Sequence, residues 1–376
     1  MRAAVAGAGI AGLTAAIALA ARGFSVEIFE RAPALEEMGA GIQLSPNATA
    51  VLERLGVLRD LSAAVVAPEA IDVRDARNGA RLAAIPLGET ARQRYGAPYW
   101  LIHRADLQAG LIAAVRRNAG IALHLGTEAS DPRDTGGEVR FSAIGSEQHA
   151  DLFIAADGLR STIRTKHFGH GGPEPFGRTA WRAALPADDA PKEVRRDATG
   201  LWLGPGGHLV HYPVRSGREV NVVVIAGGAG GDTPPKALFG REARRLLDAV
   251  AAWTPWPLFG VDVARPWTKG RVALIGDAAH AMAPSAAQGG AQAIEDAWVL
   301  AAALAGRPDD LAAALRSYER TRRPRVERIV CEARRNLDVY NMRGLPAAAR
   351  NVVLGAMSGE RLLARLDWLY GWRPEP

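Results

Sequence analysis

An α/β fold is predicted for this chain: a Rossmann-like dinucleotide-binding domain with an inserted, mostly antiparallel β-sheet substrate domain and a C-terminal helical region. The first thirty residues read strand, glycine turn, helix and strand, with Gly7, Gly9 and Gly12 in the turn and Glu30 at the end of the second strand. Two later segments, Asp157-Gly158 and Gly276-Asp277, again set an aspartate beside a glycine at the end of an apolar strand. Between those two, from Thr179 to Val263, prolines and Gly-rich turns punctuate a β texture.

The opening stretch is a buried strand over Arg2 to Ala6, a helix over Ala11 to Ala21 rich in Ala and Leu, Gly23 as its C-cap, and a strand from Ser25 to Phe29. In that setting Gly7 makes the tight turn, Gly9 admits a pyrophosphate to the backbone, and Gly12 lets helix and strand approach. The helix N-terminus then faces the anion. Glu30 lies 18 residues past Gly12, near the ~20 at which an acid accepts from a ribose diol. The same stretch has the outline of a secretory signal, a basic Arg2 followed by apolar residues ending Ala18-Leu19-Ala20. Glycine at three of its positions weakens an export helix, and a strand ending in an acid has no place in one. It is also too broken by glycine for a membrane span.

Further along, Met38 to Asn47 is a glycine-bearing loop, followed by a helix to Leu55. Ile71 to Leu82 turns at Asn78-Gly79 as a hairpin. Tyr99 to His103 is an aromatic strand, Arg104 to Asn118 an amphipathic helix with Leu107, Leu111, Ile112 and Val115 inward, and Ile121 to Leu125 a strand. Strands follow at Glu138 to Ala143 and His149 to Ala155, then near Thr179 to Leu185, Gly200 to Leu203, His208 to Pro213 and Asn221 to Ile225. Val272 to Gly276 returns to the buried-strand pattern. Ala291 to Leu304 and everything from Ala312 are helical, broken near Pro308 and Pro324. The cofactor domain is therefore expected over residues 1–70, 100–178 and 264–340. The substrate sheet takes 71–99 and 179–263, and C-terminal helices occupy 341–376.

Length bounds the chain at two or three domains, and 48% hydrophobic content over 376 residues describes a globular protein. A single cysteine, Cys331, excludes an internal disulfide and any multi-cysteine metal site, and points to a reducing, cytoplasmic compartment. The eight histidines have no metal-like spacing, so no metal is expected. Net charge is +6, and eight arginines crowd Arg316 to Arg335. They alternate with Glu319, Glu327 and Glu332 at helical spacings, which reads as a solvated helix with internal ion pairs. No nucleic acid and no membrane are expected as partners. The positive balance favours anionic substrates such as carboxylates.

An aspartate outside a strand end holds a sugar or polyol hydroxyl, or caps a helix; a glycine-rich turn at a helix N-terminus offers amides to negative charge. The second such turn is Gln288-Gly289-Gly290, just after Pro284. Taken together these motifs resemble the class A flavoprotein aromatic hydroxylases of salicylate and para-hydroxybenzoate hydroxylase type, over nearly the whole chain. Gly7 to Gly12 with Glu30 is similar to the family's FAD fingerprint. Asp157, Gly158, Ser161 and Arg164 are similar to the Asp-Gly motif that serves FAD and NAD(P)H. Gly276-Asp277 with Pro284 resembles the Gly-Asp motif whose aspartate holds the ribityl chain. His103 to Gln108 looks like the segment whose Arg104 and Gln108 reach the pyrophosphate, and Gly39 to Asn47 is similar to the salicylate hydroxylase branch. The resemblance extends the cofactor set to Ile10, Ala11, Arg31, Gly41, Gly289 and Gly290. Ala287-Gln288-Gly289-Gly290-Ala291 departs from the family's Gly-Gln-Gly-x-Asn, so no role passes to the missing Asn.

The resemblance implies a monooxygenase in which NAD(P)H reduces FAD, O₂ adds to form a C4a-hydroperoxide, and the distal oxygen attacks a small phenolic or heteroaromatic ring. A base near the ring hydroxyl helps, because a phenolate is the better nucleophile. In His208-Leu209-Val210-His211-Tyr212-Pro213, alternation puts His208, Val210 and Tyr212 on one face and His211 on the other. His208 is the expected base and Tyr212 orients substrate or relays the proton, as the matching family positions imply. Gln288 is a further expected substrate contact. Trp181, Trp202 and Trp267 line an aromatic pocket or are plain core; Cys331 is read as packing. Other readings are an FAD-dependent epoxidase, a natural-product tailoring oxygenase, or a flavin-binding sensor without turnover. The oligomeric state is open between monomer and homodimer.

Overall fold

The computed structural model describes residues 1–35, 41–194, 196–228 and 230–375. The start of the glycine loop expected from Met38 falls outside these residues, which resume at Gly41.

A six-stranded sheet runs from edge to edge as Thr268–Lys269, Val272–Leu274, Leu152–Ala155, Arg2–Ala6, Ser25–Glu30 and Ile121–Leu125. All its pairings are parallel except the hairpin at the first edge. A parallel sheet is covered on both faces, and the central strands accordingly read as unbroken apolar runs, fully buried over Leu152–Ala155 and Val272–Leu274. The helix Ile10–Ala20 has almost no polar side and is buried along nearly its whole length. It packs against the helices Gly289–Ala305 and Arg104–Arg117.

The second sheet has seven strands in the order Thr254–Gly260, Glu174–Pro186, Glu219–Gly227, Gly207–Val214, Ala198–Gly204, Ala70–Asp75 and Arg81–Pro86. One pairing, Ala198–Gly204 with Ala70–Asp75, is parallel and the others are antiparallel. One face buries Trp181, Trp202, Leu209, Val222 and Val224 against the helix Arg241–Ala249. Trp181, Trp202 and Trp267 are 3%, 2% and 1% exposed, so all three are core and none lines a pocket. The opposite face looks toward the parallel sheet's loops and the long helix Leu311–Tyr340.

That helix corrects the expected break at Pro324, since its 30 residues run through the proline. An interior proline forfeits a backbone hydrogen bond and costs about 3 kcal/mol. Here Arg322 and Arg325, on either side of it, are both anchored to Glu295 and hold the helix across the defect. The expected strand His149 to Ala155 is likewise two strands, Ser146–Ala150 in a small antiparallel sheet and Leu152–Ala155 in the parallel one. They part at Asp151, whose carboxylate accepts from Arg2 N at 2.7 Å. The helices Gly88–Tyr95 and Arg241–Ala249 and the strand Ser130–Asp134 were not legible in the sequence. Cys331 faces solvent rather than the core.

Two neighbouring glycines behave differently. A Cβ on Gly12 would lie 1.9 Å from the Gly7 carbonyl oxygen, whereas one on Gly9 meets nothing within 4 Å. Gly12→Ala should therefore part helix from strand and cost about 1–3 kcal/mol or more in urea unfolding, with Gly9→Ala close to the parent. Equal stability of the two variants would contradict the close-approach reading of Gly12.

Candidate active site

Register brings the three glycine–acid motifs together. Ala6 lies opposite Ala155, and Ala155 opposite Leu274, so three neighbouring parallel strands end level with one another. Gly7, Asp157 and Asp277 follow those ends within three residues, at the point in the sheet where ligands of doubly wound folds bind. Ile10 and Ala11 open the first helix, whose N-cap, Gly9, supplies no side-chain hydrogen bond. Its first amides are free to face an anion.

The side chains around this line are braced by the backbone. Gln108 Nε2 donates to Ala8 O at 3.1 Å. Glu30 accepts from Ala8 N at 2.8 Å through Oε2 and from Ala32 N at 2.9 Å through Oε1. The carboxylate expected to meet a ribose thus also fixes the loop before the helix, and keeps a lone pair on each oxygen for a second donor. Arg164 ties two motifs together, donating to Leu159 O at 2.6 Å and to Ala278 O at 3.1 Å. Asp157 accepts from Ile163 N at 3.4 Å through Oδ2, while its buried Oδ1 has no partner among the described residues. Burial holds its pKa above the ordinary value, outweighing the hydrogen bonds from Ser161 and Ile163. Asp277 is exposed at the start of a short helix, opposite Gly289, whose Cβ position is 4.0 Å from Asp277 Oδ1. Pro284 begins a 3-10 turn, and Gly289 and Gly290 open the helix that follows Gln288. Arg31 and Arg104 are exposed beside the groove's strand ends. An uncapped helix N-terminus, an orphaned buried carboxylate oxygen and an open glycine turn suit the phosphates and hydroxyls of a dinucleotide.

The seven-stranded sheet closes over this groove at Gly41. The Tyr212 ring lies so near that a Cβ on Gly41 would be 2.4 Å from it, and Gly41 N donates to Asn221 Oδ1 at 2.8 Å. Tyr212 pairs with Asn221 in the next strand. Four residues along, His208 pairs with Ile225, which pairs with Ala180. Those three are buried, His208 to 1% exposure. Between these rows runs a third, Arg182–Val223–Val210–Leu201, and each of its members is half-buried. An accessible strip therefore crosses the face, with His208 at one side and Tyr212 at the other. His211 points the other way, 6.2 Å from the Trp202 ring and beneath Gly200.

His208 Nδ1 is 3.2 Å from Asn341 Oδ1. Asn341 Nδ2 donates to Leu337 O, which can only accept, so Oδ1 must face the imidazole. Nδ1 then carries the ring proton and Nε2 the lone pair. Nε2 has no partner among the described residues and is not wholly enclosed. Burial, with Arg178 nearby, brings the His208 pKa down to about 4 against the hydrogen bond to Asn341, so the ring is neutral at pH 7. Burial raises Tyr212 well above an ordinary phenol, which keeps its hydroxyl a donor. Sequence reasoning missed Tyr99, which donates to Gln43 Oε1 at 2.5 Å and lies within charge range of Tyr212. Its only signal was an aromatic strand. Asn341 was missed too, carrying no motif at all.

Gln288 departs from its expected part. It is 1% exposed, donates to Ser45 Oγ at 2.9 Å, and accepts from Asn47 Nδ2 at 3.2 Å and Gln292 Nε2 at 3.1 Å. One N–H is left for a ligand, so the side chain is first a fastener between the two loops. The fastening continues to Glu295, which accepts from Asn47 at 2.6 Å and from Arg325 at 2.8 and 2.9 Å, and binds Arg322. Arg322 Nε also donates to Asp296 Oδ1 at 2.8 Å, and Asp296 Oδ2 accepts from Gly276 N at 2.9 Å and sits 2.5 Å from His280 Nε2. Burial raises Asp296, but the His280 and Arg322 charges prevail and hold it at about 2. The late arginines are thus not all on a solvated face, since Arg322 is 1% exposed.

A family model described as FAD binding domain matches residues 1–333. The chain is 34% identical to 3-hydroxybenzoate 6-hydroxylase of Polaromonas naphthalenivorans over 98% of its own length and 95% of that protein's. It is 37% identical to 3-amino-4-hydroxybenzoate 2-monooxygenase of Streptomyces cremeus, covering 99% and 95%. Among solved structures, Klebsiella pneumoniae HpxO complexed with FAD and uric acid superposes with a TM-score of 0.87 at 26% identity, covering 98% of this chain and 96% of that one.

Among the described residues no helix is long and apolar enough to cross a membrane, and no cluster of His, Cys, Asp or Glu is arranged to hold a metal. The buried charge network makes a distinct prediction. Arg322→Met takes a shared counter-charge from two buried carboxylates, leaving Glu295 with Arg325 and Asp296 with His280, and should cost about 3–5 kcal/mol in urea unfolding. Neutralising the partners as well, with Glu295→Gln and Asp296→Asn, should recover about half of that or more. A single variant within about 1 kcal/mol of the parent would contradict the network's weight.

Proposed function

The chain belongs to the FAD binding domain family, among the class A flavoprotein aromatic hydroxylases, and from that premise we propose how its own residues act on a substrate. It is an FAD-dependent aromatic-ring monooxygenase. We take NAD(P)H and O₂ as co-substrates, a cytoplasmic location, and a monomer or homodimer as the working form. The substrate is a small phenolic or heteroaromatic ring of the hydroxybenzoate or hydroxynicotinate kind.

One observation supports the site most: the accessible strip of Val223, Val210 and Leu201, bracketed by His208 and Tyr212, on the face that meets the cofactor loops at Gly41. A flat ring suits two valines and a leucine presented side by side, and the buried rows on either side exclude water. When bound, FAD supplies the reducing and oxygen-activating chemistry. The protein's contribution is position and a proton. The ring hydroxyl donates to His208 Nε2, which takes the proton and leaves the ring electron-rich; Asn341 Oδ1 holds the other ring N–H and steadies the resulting imidazolium. Tyr212 meets the ring's far side with a hydroxyl that stays protonated. Asp157, Asp277 and the first-helix amides would hold the cofactor's hydroxyls and phosphates, with Arg104 and Gln108 near its pyrophosphate and Glu30 at its adenosine ribose.

His208→Ala should lower hydroxylated product formed per NAD(P)H consumed, and the product-forming rate by about 10²–10⁴-fold. His211→Ala, on the other face, should be mild. The parent's rate should fall on acidification only as the pH nears the about 4 at which His208 gains its proton. The reverse ranking of the two histidines would overturn the strand-face assignment.

A further inference from the structure

The strip across the sheet face ends in a charged side chain. Arg182 continues the row Leu201–Val210–Val223 at its outer end. On its own strand, Ala180 is buried against Ile225, Leu258, Ala283 and Leu337, while Ala184 is exposed. Arg182 thus stands where the covered part of the face opens.

Its surroundings are unusual for an arginine. No ion pair or hydrogen bond joins it to any described residue, and its guanidinium lies 5.7 Å from the Trp256 ring on the edge strand. The charged and titratable groups in range are Tyr212, Arg104 and Asp277. Of these Tyr212 is neutral, Arg104 repels, and Asp277, at the groove's strand end, makes no ion pair with it. Burial lowers the Arg182 pKa, but a guanidinium does not deprotonate in proteins, so a partly desolvated cation stands without a counter-ion. The comparable half-buried Arg215 is paired to Asp106 at 3.1 Å.

We propose that Arg182 is a substrate-binding residue that receives the carboxylate of an aromatic acid lying on the Val223–Val210–Leu201 strip. The planar guanidinium matches a carboxylate in two parallel hydrogen bonds and gives a fixed orientation as well as energy. A ring held at one end by that pair and at the other by His208, in the flanking row, lies obliquely over Val223 and Val210, with its hydroxyl and carboxylate on different sides. Arg182 therefore sets preference for ring acids over neutral phenols. The assignment rests on the proposed substrate face, and deepens it from phenols in general to phenolic carboxylates.

Titration of the oxidised FAD-loaded enzyme with 3-hydroxybenzoate and with its neutral relative 3-hydroxybenzamide, read by the change in flavin absorbance, separates these statements. Arg182→Met should raise the Kd for the benzoate about 10–100-fold and leave that for the amide within about 3-fold. Arg182→Lys keeps the charge without the fork; it should raise the benzoate Kd less, about 3–10-fold, and it carries the test if the Met variant does not fold. FAD affinity, from flavin fluorescence on dilution, should not move. Equal weakening of benzoate and amide, or a loss of FAD affinity with the benzoate-to-amide ratio intact, would overturn the role assigned to Arg182. If the parent enzyme binds neither ring, the substrate face itself is misplaced, and the carboxylate role goes with it.

Discussion

The site depends on a guanidinium with no access to water. Arg322 is fixed between Glu295 and Asp296, all three of them 1% exposed or less. Removing three charges from water is expensive, and such clusters are seldom more stable than an apolar core of the same shape. What this one provides is geometry. Asp296 reaches Gly276 at the end of a parallel strand, Glu295 reaches Asn47 and through it Ser45 and Gln288, and Arg322 belongs to the helix that ends at Asn341. The Gly276 turn, the loops carrying Ser45 and Gln288, and the partner of His208 are therefore set from one point. The same anchor lets a 30-residue helix run through Pro324 and still carry Asn341 to the sheet.

The two sheets divide the work along chemical lines. Level strand ends in the parallel sheet offer amides and carboxylates to a polar, charged cofactor. Antiparallel strands, exposing every second side chain, offer a flat apolar strip with polar groups at its margins. Neither surface is complete alone: Tyr212 rests on Gly41, and Asn221 holds that glycine's amide. His208 has its proton placement set by an asparagine whose own orientation is forced by a backbone carbonyl.

Much of this was legible in sequence, for a physical reason. Glycine turns at strand ends and period-two alternation are local patterns, so Gly7 to Gly12, Asp157, Asp277 and the opposed faces of His208 and His211 could be read without a fold. What could not be read was contact between distant segments. Gln288 looked like a ligand contact because it follows a glycine-rich turn's logic, but Ser45 and Asn47, some 240 residues away, engage its amide. Arg322 looked like one more charge on a solvated helix, since Glu319 and Glu327 lie at the right spacing; its true partners are on another helix. Pro324 reads as a helix stop because the sequence shows the lost hydrogen bond and not the anchors on either side. Arg182, a lone arginine in a strand, reads as a surface residue until the register shows which face it shares.

A structure of the FAD-loaded enzyme with a bound hydroxybenzoate tests the account most directly. The ring should lie over Val210 and Val223, its hydroxyl within hydrogen-bond distance of His208 Nε2 and Tyr212 on its far side. A ring bound away from that strip, with His208 still contacting only Asn341 and Tyr340, would contradict it.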